Sequence, residues 1–249
     1  LLRGKFGTYA DQVSMIWLWG KLKVRRSLKG QGYRKEVLGY MHGSFQLFID
    51  ELARRIMERN GEIHTKTPVQ RVIVENGRAV GLQTTSGVRQ LDKIIVTVPS
   101  PIFLRLVPDL PSDYAALLRE VRYQGALCLV LKLKRSLSHI YWLNIADPDI
   151  PFVGAIEHTN YIPPQFYNGK TVLYLSNYLA EGHPLYGLSK DELLRAYLPY
   201  VKRINPAFDL DWVEESWLFR DTGGQPIIAC DYSSRIPDHH TPIKNLYLA

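Results

Sequence analysis

The stretch from Gly39 to Pro101 restricts the fold more than any other part of the chain. It opens with Gly39-Tyr40-Met41-His42-Gly43-Ser44 and continues into Phe45, Phe48, Ile49, Leu52, Ala53, Ile56 and Met57. Apolar residues at three- and four-residue steps make one stripe of a helix. Ser44 suits its N-cap, Gly61 the left-handed position past its end, and Asp50–Arg54 and Glu51–Arg55 make four-residue ion pairs. Strands are expected at Glu62 to Thr65, Val69 to Glu75, Arg78 to Thr85 and Val88 to Leu91. Asn76-Gly77 suits a type I′ hairpin, since both residues accept positive φ. Ile94 to Val98 is continuously apolar and ends at Pro99, as does a parallel strand buried on both faces. Helix, meander and parallel strand together set the class as α/β (α+β).

The second half has a different rhythm. After a short helix capped by Ser112, longer strands are expected at Ala126 to Leu133, Tyr141 to Ala146, Phe152 to His158 and Thr171 to Leu179. Ser189-Lys190-Asp191-Glu192 is a capping box that opens a helix through Leu193, Leu194, Tyr197, Leu198 and Val201. Val213 to Arg220 alternates, with Val213, Glu215, Trp217 and Phe219 on one face. The pattern predicts a mostly antiparallel sheet flanked by helices.

Residues 9 to 28 form an apolar helix with Val13, Met15, Ile16, Trp17, Leu18, Trp19, Leu22 and Val24. The first 35 residues carry nine basic groups (Arg3, Lys5, Lys21, Lys23, Arg25, Arg26, Lys29, Arg34, Lys35) against Asp11, within a net charge of +7 for all 249 residues. Three readings stand side by side: a core helix with a solvated basic end, the wall of an apolar substrate entrance, or a peripheral membrane contact through residues 9–29. The basic groups sit at one end and no RNA or DNA motif accompanies them, so a nucleic-acid partner is not expected. No apolar run approaches the roughly 20 residues that span a bilayer. With only Cys128 and Cys230, a disulfide framework is not expected and a cytoplasmic, possibly membrane-peripheral, location is.

Searches for self-contained chemistry find no Gly-x-Ser-x-Gly elbow, no Walker loop and no His-Glu-x-x-His or paired-cysteine metal site. His42, His64, His139, His158 and His183 are scattered. His239 and His240 would point opposite ways on a strand. Asp221-Thr222-Gly223-Gly224-Gln225-Pro226 reads as a turn. No catalytic residue and no metal ligand can be named, which fits an enzyme whose cofactor does the chemistry.

Four motifs occur in order: Gly39-Tyr40-x-x-Gly43-Ser44-Phe45, Gly61-Glu62-Ile63, Pro68-Val69-x-x-Val72 and Asp92-x-Ile94-Ile95-x-Thr97-x-Pro99. Together they resemble the central block of the superfamily of FAD-dependent amine oxidases, protoporphyrinogen oxidases and phytoene desaturases. Tyr141-Trp142-Leu143-Asn144-Ile145 and Pro151-Phe152-x-Gly154-x-Ile156-Glu157-His158-Thr159-Asn160 are similar to bacterial protoporphyrinogen-oxidase-like members. The superfamily's Gly-x-Gly-x-x-Gly loop and its C-terminal glycine-rich flavin segment have no counterpart here. The chain therefore reads as a section of a longer protein, inactive by itself.

The resemblance implies a partial FAD/NAD(P)-binding domain with a three-stranded meander over 36–110, returning over 221–249. A substrate domain would take 111–220, with 1–35 as its helical part. It implies FAD as cofactor, with Val69 meeting the adenine edge through its main chain and Thr97, Val98 and Pro99 lying near the dinucleotide. From the residues alone Val69 is a plain core valine. The substrate, a small apolar or amine-bearing molecule, would meet Tyr141, Trp142, Glu157, Tyr178, Trp217 and Gln225 and pass a hydride equivalent to flavin. The alternatives are a non-catalytic module that binds a ligand or membrane, and a flavin-dependent nucleotide-sugar mutase.

Overall fold

The structure, a computed structural model, describes residues 2–30 and 39–249, with backbone alone over 25–30. Of the basic cluster, Arg34 and Lys35 fall outside the described residues, as do the side chains of Arg25, Arg26 and Lys29. The elements run α1 (Leu2–Phe6), α2 (Met15–Gly30), α3 (Gln46–Glu58), β1 (Val69–Glu75), β2 (Arg78–Thr84), β3 (Gly87–Gln90), β4 (Ile94–Val96) and α4 (Ser100–Leu106). They continue with α5 (Ser112–Glu120), β5 (Tyr123–Leu133), β6 (Trp142–Asn144), β7 (Gly154–Glu157), β8 (Thr171–Leu179), α6 (Lys190–Ile204), β9 (Val213–Pro226) and β10 (Leu246–Leu248). Two compact units result: Leu1–Tyr40 with Tyr123–Cys230, and Met41–Arg122 with Asp231–Ala249.

In the first unit five antiparallel strands are ordered β6-β7-β8-β5-β9. One face is a leucine layer: Leu127, Leu129, Leu131, Leu133, Leu173 and Leu175 are almost fully buried together with Leu193, Tyr197 and Val201 of α6. That helix begins where the capping box puts it, with Ser189 accepting from the Glu192 N–H and Glu192 accepting from the Ser189 N–H. A smaller cluster joins Phe6, Ala10, Val13 and Ile227, and Trp17 meets Phe6 edge-on at 4.9 Å. The helix expected over residues 9–28 starts only at Met15. Before it, Gly7–Gln12 forms a 3-10 turn and Val13 bridges to Ala229, because that segment buries its apolar groups locally.

The glycine-containing segment Asp221 to Pro226 is not a turn but the end of β9. Its register slips opposite Gln124 and Ala126. A Cβ on Gly224 would lie 2.9 Å from the Ala126 Cβ, so the glycine permits the close passage that the slip requires.

The second unit holds the meander β1-β2-β3, turned at Asn76 (φ 50°) and Gly77 (φ 71°), and the parallel pair β4–β10. Its core gathers Val72, Ala79, Ile94, Val96, Phe103, Val107, Leu118, Ile243 and Leu246. Several local expectations change. Glu62 to Thr65 joins no strand; Glu62 instead meets His64 and Arg89 through its side chain. Asn60, not Gly61, takes the left-handed position (φ 60°). Gly61 is needed for another reason: a Cβ there would come within 2.9 Å of the Ile56 carbonyl. Arg54 pairs with Glu51 and Glu58, while Asp50 accepts from Gln46. Pro111, not Ser112, holds the N-cap of α5. Ile95 is 68% exposed between buried Ile94 and Val96, so β4 is buried on one face only. Likewise α3 has no buried residue, and its apolar stripe is open among the described residues.

Candidate functional site

Alternation along the strands of the first unit sends every second side chain away from the leucine layer. Directly opposed residues of antiparallel strands share a face, so the register assembles rows across it. One row reads Trp217, Val130, Tyr174, Ile156, Trp142. The next reads Phe219, Cys128, Ser176, Gly154, Asn144, and a third contains Asp221, Ala126 and Tyr178. The middle of this open face is a floor of Cys128, Ser176, Gly154 and Ala126, bounded by the rings of Trp217, Tyr174, Phe219 and Tyr178. A Cβ on Gly154 would sit 2.9 Å from Ser176 Oγ, so a larger residue there would have to turn that hydroxyl aside.

Of the residues singled out from sequence, Trp142, Tyr178 and Trp217 come together on this face, and Tyr141 precedes Trp142 at its border. Lys5 of α1 lies 4.7 Å from the Tyr178 ring, and burial lowers its pKa. Gln225 pairs with Gln124, which is 1% exposed and whose Oε1 has no partner among the described residues. Glu157 is turned away from the face. It is 1% exposed and accepts from Ser136 Oγ at 2.5 Å and the Ser138 N–H at 2.8 Å. Burial raises its pKa, and those hydrogen bonds partly oppose the rise. Its carboxyl clamps the loop that delivers Tyr141, whose carbonyl accepts from the Glu157 N–H.

Sequence reading passed over His158 and the tyrosines around it. His158 Nε2 lies 2.6 Å from the Tyr167 hydroxyl, and its ring is 5.3 Å from Tyr40 and 6.1 Å from Tyr174. The available signal was the density of tyrosines between Tyr161 and Tyr178, but they reach the site from a loop and a strand, without one period. Cys128 has its thiol pushed up to about 11 by burial, which leaves it unreactive. Among the described residues no cluster of three His, Cys, Asp or Glu could hold a metal. A concavity of about 300 Å³ beside the start of α6 is lined by Lys190, Asp191, Arg195, Glu214 and Glu215 and lies outside the aromatic floor.

In the second unit β1 is an edge strand, so alternate N–H and C=O groups along its outer side have no sheet partner among the described residues. Val69 begins this edge, is 36% exposed, and precedes a register slip between Val69 and Arg71. Thr97 is exposed and Val98 and Pro99 half-buried, directly after the carboxyl end of β4.

The family model for flavin containing amine oxidoreductases matches residues 14–249. The chain belongs to that family. An oxidoreductase from Methanosarcina mazei has the same fold at TM-score 0.63 and 21% identity, covering 84% of this chain and 49% of that one. A candidate protoporphyrinogen oxidase from Exiguobacterium sp. 255-15 aligns at TM-score 0.62 and 19% identity, over 80% of this chain and 45% of its own. A reduced UDP-galactopyranose mutase aligns at TM-score 0.62 and 16% identity, over 85% and 48%. The chain thus spans about half the length of these structures. No curated protein matches it.

Membership of a flavin-containing oxidoreductase family gives the open edge and strand end of the second unit a specific interest. Extended main chain at Val69 can exchange N–H and C=O bonds with the edge of a flat heterocycle, and ligands of open α/β sheets gather at the carboxyl ends of parallel strands. No described helix is long and apolar enough to cross a membrane.

Proposed function

We propose that this family member is the substrate-holding part of an FAD-dependent oxidoreductase, acting on an apolar or amine-bearing organic molecule. The observation that carries the reading is the open sheet face, where one transverse row sets Trp217, Tyr174 and Trp142 beside a floor of small residues. Such a surface takes the flat body of an organic molecule, excludes water from it and orients it. Trp142, Tyr178, Trp217 and Tyr141 contact the substrate in this reading. Gln225 stands at one end, and Glu157 acts through the loop that it holds.

On the cofactor side, the Val69 main chain meets the adenine edge and Thr97, Val98 and Pro99 border the dinucleotide. FAD, when bound, supplies the acceptor for a hydride equivalent; residues 1–249 alone are inactive in this reading. α2 would line the approach to the substrate, with Met15, Ile16, Trp19 and Leu22 exposed and Lys21 and Lys23 among them suited to an anionic bilayer surface.

FAD titration of the complete parent protein, followed by anaerobic mixing with candidate substrates, tests the reading. Flavin binding and substrate-dependent bleaching of its absorbance are expected; a protein that binds no flavin overturns it. The likeness to UDP-galactopyranose mutase in fold supports a second reading, and turnover of a nucleotide sugar without net bleaching would favour that one.

A further inference from the structure

Five phenols and an imidazole meet at the β7–β8 border of the open face. Besides its 2.6 Å contact with Tyr167, His158 stands with its ring edge-on to Tyr40, Tyr167 and Tyr174. Tyr40 hydrogen-bonds to Tyr167 through its side chain and interacts electrostatically with Tyr141 and Tyr174. Tyr161 completes the group, 4.8 Å from the Tyr141 ring and 6.2 Å from Tyr40. All six side chains belong to the first unit.

A cluster of aromatic rings is most simply a piece of core, and two observations separate this one from core. The true core aromatics of the unit, Tyr197, Phe152 and Phe208, are 0%, 0% and 1% exposed. Tyr40, Tyr141, Tyr161, Tyr167 and Tyr174 each keep an intermediate exposure. Second, the hydroxyls of Tyr141 and Tyr174 donate to no protein acceptor among the described residues, and, unlike the equally unpartnered hydroxyl of buried Tyr197, they belong to partly exposed side chains that a ligand can reach. The chemistry is also one-sided. Burial raises Tyr141, Tyr167 and Tyr174 and lowers His158, and the charge-bearing groups that act on the phenols are other tyrosines and Cys128. At neutral pH the site therefore offers protonated O–H donors and an uncharged imidazole, with no lysine, arginine or carboxylate among them.

We propose that Tyr40, Tyr141, Tyr167 and Tyr174, gathered round His158, form a hydrogen-bonding site for the oxygen of a ring-bearing ligand: a phenol, an enol or a ring ketone. Tyr167 and Tyr40 are engaged with His158 and with each other, so the Tyr141 and Tyr174 hydroxyls are the donors left for a ligand. Neutral donors without a cation favour an oxygen that gains partial negative charge over a full anion such as phosphate, which calls for arginine or lysine. The ring bearing that oxygen lies over the floor beside Tyr174. The proposal rests on the open face being the substrate surface, and it adds the functional group that the substrate carries.

The probe is 4-nitrophenol, whose phenolate is read by absorbance, with 4-nitroanisole as the control that has the ring and no ionisable hydroxyl. Titrated into the protein near neutral pH, 4-nitrophenol is expected to bind with its ionised fraction raised above that in buffer. Tyr174→Phe and Tyr141→Phe should each weaken its binding about tenfold, the scale of one hydrogen bond to a charged group, and leave 4-nitroanisole unchanged. Thermal melts of both variants check that the fold persists, and His158→Gln, expected to weaken 4-nitrophenol binding in the same way, offers a second route should either fold poorly. If the Tyr→Phe variants bind 4-nitrophenol as the wild type does while Trp217→Ala does not, the oxygen site is overturned and the open face stands. If 4-nitrophenol does not bind at all, the proposal is likewise overturned. The face itself is then judged by whether 4-nitroanisole quenches the fluorescence of Trp142 and Trp217.

Discussion

The two faces of the five-stranded sheet are built from the same strands and differ in nearly everything else. On one, Leu127, Leu129, Leu131, Leu173 and Leu175 are at most 1% exposed and pack against α6. On the other, residues one step away in sequence are half-exposed: Cys128, Tyr174, Ser176 and Tyr178, with Trp142, Trp217 and Phe219 more open still. Period-two alternation divides the labour. The leucine face supplies the free energy that fixes the register, and the register then brings Trp142, Tyr174 and Trp217 into one row, although they are far apart in sequence.

The largest expected effect is on the leucine face. Leu129→Ala removes a fully buried side chain of β5 from the leucine layer and should destabilise the unit by about 2–5 kcal/mol, measured by denaturant unfolding. An effect below about 1 kcal/mol would mean that this face is not the core and would dissolve the contrast. Next comes the cap of α6. Ser189→Ala removes the acceptor for the Glu192 N–H and half of the capping box, for an expected loss of about 1 kcal/mol.

The division was partly legible beforehand. Alternation over Glu215 to Phe219 and the capping box at Ser189 read directly from sequence, because each depends on neighbours within a few residues. So did the Asn76-Gly77 turn, where positive φ at both residues demands those types. Val213, expected on the Trp217 face, instead packs on the leucine layer, because the register slips between Lys132 and Leu133. Parallel pairing of Ile94–Val96 with Leu246–Leu248 depends on a partner some 150 residues away, and the exposure of Ile95 follows from which side of that pair is covered. His158 reads in the sequence as one of several scattered histidines for the same reason. Its partners Tyr40, Tyr167 and Tyr174 come from three different segments, and no spacing rule joins them.

Glu157 sits between the two behaviours, a buried carboxyl on the strand that borders the open face. Its folded pKa is raised above the ordinary carboxylate value, chiefly by burial. The folded state therefore holds the proton more tightly than the unfolded chain in the window between the two pKa values, and stability falls as pH rises through the folded one. Glu157→Gln keeps an acceptor for the Ser138 N–H without the charge. Relative to wild type, the variant should gain in melting temperature as pH rises from the acidic range to neutrality. A difference that does not vary with pH would show that the charged carboxyl costs nothing where it is buried.

The smallest stability effect should come from the open face, and it is the sharpest test of the comparison. Trp217 is 42% exposed and pairs across the strands with Val130, so Trp217→Ala forfeits a cross-strand contact worth about 0.2–1 kcal/mol. The same substitution opens one wall of the floor formed by Cys128, Ser176 and Gly154, and should weaken binding of a flat apolar ligand about tenfold or more, the range of aromatic hot spots. A large loss of stability with unchanged ligand affinity would make Trp217 part of a second core. A small loss of stability with a large loss of affinity separates the residues that hold the sheet from those that use it.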